Sequence, residues 1–189
     1  AGWKLFNRVT AGRLRWAPMP SIYNRMVIAG RGYDVPAGPQ AYADFLTSHF
    51  PAEAPAIQTY MTLVGCVAKS SAPYFGAKAL PPEAGAALMR QHGQEFRYFA
   101  SQTTQQVLRG LTSNDELIAV ICANWGDYSL EPSKSSFAMH CMLAKHYLHG
   151  AHYPEGGGPA FAQAMVPIIE AAGGRVLHSA EVAEVLVDN

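Results

Sequence analysis

Gly156-Gly157-Gly158-Pro159 restricts the fold more than any other stretch of this sequence. Glycine enters backbone conformations closed to other residues, and the proline behind the run has its φ preset for a first helical turn. The run therefore predicts a sharp bend that delivers the chain into a helix. Phe161, Met165, Ile168 and Ile169 mark its inward side, Pro167 interrupts it, and Gly173 and Gly174 close it. Residues 175–179 and 182–187 then read as two strands. An α/β pattern starts at this bend, so a domain boundary is expected near residue 150, dividing the chain into 1–150 and 151–189.

Upstream the pattern is mostly helical. Residues 13–18 and 25–29 read as two strands of a small antiparallel hairpin, with turn chemistry from Pro18, Pro20, Ser21 and Asn24 between them. Gly30 and Gly32 end the second strand, and residues 33–36 form an extended link. Helices follow: one from Pro39 to His49, and one whose apolar face is Ile57, Tyr60, Met61, Val64 and Ala68. Another begins at Glu83 and carries Leu88, His92, Phe96 and Phe99 on one side, and a shorter one spans Thr104 to Leu111. Ser113 to Glu116 has the S-x-x-E form of a capping box ahead of Leu117 to Trp125. From Ser136 to Leu148 the sequence is apolar on two sides, which predicts a helix buried all round, as between two domains. The fold class is α+β: a mostly helical domain with a hairpin, then a helix-strand-strand piece of an α/β domain.

Charged residues make up 15% of the chain and hydrophobic ones 49%, against roughly 25% charged in ordinary soluble domains. Part of the surface is therefore expected to be covered by other protein or by a lipophilic ligand. Lys plus Arg and Asp plus Glu both number 14, a balance that argues against nucleic acid, which calls for a concentrated basic surface. The basic stretch from Lys4 to Arg15 reads as a solvated hairpin face. Cys66, Cys122 and Cys141 form neither a disulfide framework nor a CxxC site, so a reducing, cytoplasmic compartment is expected. The longest apolar runs, Met61 to Ala68 and Leu117 to Ala123, fall short of the about 20 residues that span a bilayer, while peripheral contact with a membrane stays compatible with the composition.

Candidate chemistry concentrates around the bend. Glycines before a helix allow a ligand close to the backbone, and a helix start offers amide donors and a favourable dipole. A tight loop between domains accounts for the same residues. His140, His146, His149 and His152 crowd together beside Cys141, but their spacing matches no common zinc site and no metal is expected. Neither a Ser/His/Asp arrangement nor a carboxylate pair stands out. Phe96, Phe99, Phe137, Met139 and Met142 suit the walls of a cavity for a long hydrocarbon, although helical periodicity alone favours a packed core for them.

Tyr153-Pro154-x-Gly156-Gly157, a helix, Gly173-Gly174 and a strand with Val182 and Val185 resemble the segment that re-enters the FAD domain in the phytoene desaturase, carotenoid isomerase and retinol saturase family. Tyr33 to Pro36 with Gly38, Pro132-Ser133 to Ser136-Phe137, and His146 to Leu148 with Gly150 are similar to the saturase and isomerase branch. The resemblance implies an FAD-dependent oxidoreductase that moves a hydride between flavin and a lipophilic isoprenoid or retinoid. It implies FAD contacts at Val182 through its backbone and at Gly156 and Gly157, with Tyr153 facing the cavity and Phe137, Met139 and Met142 among the substrate walls. No G-x-G-x-x-G occurs, so the principal pyrophosphate site is expected outside this chain. The partner is then the remainder of a parent flavoprotein, and the chain alone is expected to be inactive. A non-catalytic lipid-binding or interaction module is the alternative from another class, and a flavin amine oxidase fragment shares the re-entry motif with a poorer match upstream.

Overall fold

The computed structural model describes residues 2–187. In chain order these form helix α1 (Gly2–Val9), strands β1 (Trp16–Pro18), β2 (Ile22–Ile28) and β3 (Arg31–Pro36), and helices α2 (Pro39–His49), α3 (Ala54–Lys78) and α4 (Pro82–His92). Helices α5 (Gln94–Ala100), α6 (Thr104–Leu111), α7 (Asp115–Ile121) and α8 (Phe137–Tyr147) follow, then strand β4 (His152–Pro154) and helix α9 (Pro159–Ala171). The architecture is mostly helical with two small antiparallel strand pairs, the α+β class read from the sequence. The chain divides into two compact units, 19–151 and 1–18 with 152–189.

In the unit of residues 19–151, α3 is the spine and packs against α2, α4, α5, α6 and α8. Ile57, Tyr60, Val64 and Val67 lie buried along one side of it, an i, i+3, i+7, i+10 stripe. Opposite them, α8 buries Phe137, Ala138, His140 and Cys141. Met139 on the same helix is 44% exposed and His146 is exposed, so within this unit α8 has an outer face rather than burial on every side. Packing against α3 chooses which of its apolar sides turns inward.

The hairpin differs from its expected form. It joins β2 to β3, with Ile28 opposite Arg31, whereas β1 pairs with β4. Ala29 and Gly30 have φ of 49° and 81°. Such a two-residue turn with both central residues at positive φ matches the right-handed twist of the strands. Gly30 is thus the turn itself rather than a strand end, and residues 33–36 are the return strand. Tyr33 and Val35 alternate inward on β3, while Asp34 between them accepts from the Arg25 guanidinium at 2.5 and 2.8 Å.

Capping chemistry is also displaced from its expected place. Asn114, not Ser113, caps α7, its Oδ1 accepting from the Leu117 amide at 3.0 Å. Glu116 cannot complete a box because its carboxylate accepts from Arg31 at 2.9 Å and from the Tyr33 hydroxyl at 2.5 Å. The reciprocal box stands at α6, where the Gln106 amide donates to the Thr103 hydroxyl and the Thr103 amide to the Gln106 side chain.

In the other unit, the basic stretch expected as a hairpin face forms α1 and its following loop. Phe6, Trp16 and Phe161 meet edge to face with centroids 5.1–5.8 Å apart. Helix α9 runs through Pro167 without interruption. It closes with the Gly173 amide on Glu170 and the Gly174 amide on Ile169, both at 2.9 Å, the paired bonds of a Schellman end. Residues 175–187 form neither of the two expected strands. A strand exists through its hydrogen-bonded neighbour, and the described residues supply none here. Val182, Val185, Leu186 and Val187 are all exposed.

The two cap assignments make opposite predictions. Replacing Asn114 by Ala should cost about 1 kcal/mol in urea unfolding, while Ser113→Ala should leave stability within roughly 0.5 kcal/mol.

Candidate functional site

Each unit carries one region where side chains and backbone converge. In the unit of residues 1–18 and 152–189 it is the bend behind β4. Tyr153 sits opposite Ala17 in the ladder, and the Glu155 amide donates to the Arg15 carbonyl at 3.0 Å. The Gly157 amide then closes a turn onto the Pro154 carbonyl at 2.9 Å, with Gly156 and Gly157 at φ of 88° and 76°. A Cβ on Gly156 would stand 3.6 Å from Ala160, and one on Gly157 3.9 Å from the Tyr153 hydroxyl, both ordinary contacts. Conformation, not crowding, is what demands glycine at these two positions.

The start of α9 has less to offer an anion than the sequence suggests. Pro159 has no N–H, and the amides of Ala160 and Phe161 donate to the carbonyls of Gly157 and Gly158 at 3.1 and 3.2 Å. Tyr153 is 59% exposed and Val182 76%. The backbone around Val182 lies in no strand or helix. Beside the turn an open cleft of about 260 Å³ is lined by Arg13, Arg15, Glu155 and Gln163.

The helical unit holds a cluster that the sequence did not reveal. Tyr60 from α3 and His140 from α8 meet in the core, hydroxyl to Nε2 at 3.0 Å. The other ring nitrogen of His140 faces the Tyr128 hydroxyl at 3.3 Å. Tyr147 donates to Asp127 at 2.8 Å, and its ring stacks on Tyr23 at 6.0 Å. A cavity of about 30 Å³ touches all of these tyrosines, His140, Tyr42 and Asn124, enough room for a water. Burial lowers His140 to about 4, raises Tyr128 to about 12, and drives the Tyr60 and Tyr42 phenols up as well. All four side chains are therefore neutral near pH 7. The signal for this cluster was present as a tyrosine on the apolar stripe of α3 and a histidine on the inward side of α8. Only their packing shows that they are partners.

The expected substrate walls are scattered. Phe137 is fully buried, its ring 5.6 Å from that of Phe99. Met142 is half-buried against the same core, and Met139 points outward. None of the three lines the tyrosine cavity or the broader groove of about 800 Å³ floored by Val27, Ile118 and Trp125. The histidine group is likewise taken apart, with His140 buried and His146 and His149 exposed. Among the described residues no three His, Cys, Asp or Glu side chains are grouped as a metal ion requires, and no helix is long and apolar enough to cross a membrane.

The sign of the His140 shift gives an acid-stability prediction. Between its ordinary value of 6.5 and about 4 the unfolded ring takes up a proton that the folded ring refuses, so stability falls as pH drops through that window. The full loss is about 3 kcal/mol. Urea unfolding at pH 7 and pH 4 should show this increment in the native chain and not in His140→Gln; an equal pH dependence in both would contradict it.

No family model matches the chain, and no solved structure does so either. Curated proteins do. The chain is 35% identical over 98% of its length to the all-trans-retinol 13,14-reductase of Macaca fascicularis and 34% identical over the same share to that of Danio rerio. An inactive all-trans-retinol 13,14-reductase of Danio rerio is 25% identical over 95% of the chain. The chain spans about a third of the length of these relatives. At this identity and near-complete coverage of the chain, its homologues are all-trans-retinol 13,14-reductases, or retinol saturases, and the chain corresponds to a segment of their length.

Proposed function

We propose that the intact protein carrying this chain is an FAD-dependent oxidoreductase that saturates a carbon–carbon double bond of a retinoid. The observation that carries the reading is the 35% identity over 98% of the chain to a protein named for reducing all-trans-retinol. Among desaturation, saturation and isomerisation, that name favours saturation. FAD, when bound, supplies the hydride. Residues 19–151 act as the substrate-side domain. Residues 152–187, with the first 18, re-enter the flavin-binding side.

In this reading Gly156, Gly157 and the Val182 backbone make edge contacts with FAD, and the phosphates are held by parts of the protein beyond this chain. The engaged amides at the start of α9 support that division. Tyr153 in one unit and Met139 in the other each offer exposed surface to the substrate, and Met142 packs half-buried against the core of the helical unit. The scarcity of charge, 15% of residues, fits a lipophilic ligand and coverage by the remaining protein. A second reading, a lipid-binding module without turnover, draws support from the relative named as inactive.

The full-length protein should purify with stoichiometric flavin absorbance and, once reduced without oxygen, convert all-trans-retinol to a dihydro product. The isolated 189-residue chain should retain no flavin at stoichiometric level and turn nothing over. Full-length protein that binds retinol but neither flavin nor a reduction product would favour the module instead.

A further inference from the structure

We propose that the free edge of β2 is a docking strip for an extended segment of the parent protein outside these 189 residues, which pairs with it as a third strand. Its place is the open groove of about 800 Å³ in the helical unit, bordered by residues 24–28 of β2, by α7 and by residues 131–133. No redox step is involved, so the proposal does not rest on the oxidoreductase reading. It draws instead on the length of the curated relatives, of which this chain spans about a third.

An unbroken run of strand residues along one groove marks an edge, since side chains by themselves alternate between the two faces. In an antiparallel pair closed by a two-residue turn, the residues flanking the turn exchange both backbone bonds, and bonded pairs alternate from there. The register sets Ile28 on Arg31, Met26 on Tyr33 and Asn24 on Val35, which makes these the bonded pairs. The amides and carbonyls of Arg25 and Val27 therefore point away from β3. Among the described residues no turn, loop or cap hydrogen bond reaches them.

Soluble proteins blunt such an edge with lysine, proline or a bulge. β2 contains neither residue, and its irregularity lies between Ile22 and Asn24, at the end far from the turn. The Arg25 guanidinium is drawn back onto Asp34 of β3. Val27 is 71% exposed and stands opposite Gly32, so no side chain of β3 covers it. Along the same groove Ile118, Ala119 and Ala123 present an apolar surface, with the half-exposed Trp125 beside them. The fitting occupant is a strand of about five residues without proline, apolar at alternate positions, lying about 4.8 Å from β2. Its apolar side chains pack on α7. A two-stranded ribbon is marginal by itself, and a third strand steadies it. A segment of the same chain is favoured over a separate partner because the linkage keeps its effective concentration high.

The test uses the full-length protein. Residue-resolved hydrogen exchange should find the Arg25 and Val27 amides on the order of a hundredfold or more slower than unbonded amides; exchange at unbonded rates at either would overturn the proposal. Val27→Pro removes one edge donor and leaves the bonds to β3 in place. It should speed exchange at Arg25 about tenfold or more while Met26 and Ile28 stay slow, the loss expected when a paired strand is released. An Arg25 amide still at its native rate in that variant would show that something other than strand pairing protects it. A photoreactive side chain at Ser133, on the rim of the groove, should cross-link to a peptide of the same chain outside residues 1–189. A cross-link between two copies, or only within residues 1–189, would overturn the proposal, as would protection that arises only when all-trans-retinol is added. If Val27→Pro disrupts the hairpin itself, seen as fast exchange at Met26, the native exchange rates and the cross-link decide.

Discussion

Two polar side chains buried in one apolar seam govern the helical unit. Where α3 meets α8, Tyr60 and His140 are surrounded by Ile57, Val64, Phe137 and Cys141, and neither reaches bulk water. Leaving either without its partner would cost about 1–3 kcal/mol. The pair therefore sets the rotation of α8 about its axis. With His140 turned in toward Tyr60, Met139 must turn out. A helix with two apolar sides has no other means of choosing between them, and the cavity bordered by five tyrosines is a consequence of that choice.

The hairpin is tied to the same unit by a second polar knot. Glu116, near the start of α7, accepts from both Arg31 and Tyr33, and the Tyr33 ring packs among Phe45, His49 and Phe50. An exposed Arg–Glu pair alone contributes little. The buried phenol gives this one a fixed geometry, and it holds β3 against α2 and α7. Tyr23 on β2 is thereby placed to stack on Tyr147, so the hairpin forms one wall of the tyrosine cluster.

The other unit is organised by backbone conformation. Positive φ at Gly156 and Gly157 turns the chain from β4 into α9, and the glycine pair behind Ala172 closes that helix. Both features were legible in the sequence because glycine advertises the conformations that only it adopts cheaply. The strands expected after Gly174 were not, since alternation of apolar residues is necessary for a strand while the ladder partner is what forms it. The family resemblance was legible in the same glycines together with Tyr153, Pro154 and Val182, because a motif is read from residue identity and spacing within a short stretch of chain.

By itself the sequence determined the helix spacing, the α6 and α2 boundaries, the glycine bend and the flavoprotein resemblance. All of these are local in the chain, fixed by periodicity, capping residues and φ preferences within a few positions. Tertiary structure alone decided which strands pair, which residue caps α7, and that Tyr60, Tyr128 and His140 are neighbours. Tyr60 and His140 lie 80 residues apart, and Glu116 is drawn away from its cap by a residue 85 positions earlier. No local pattern encodes such meetings; they follow from burying the apolar faces together and then satisfying the polar groups caught between them.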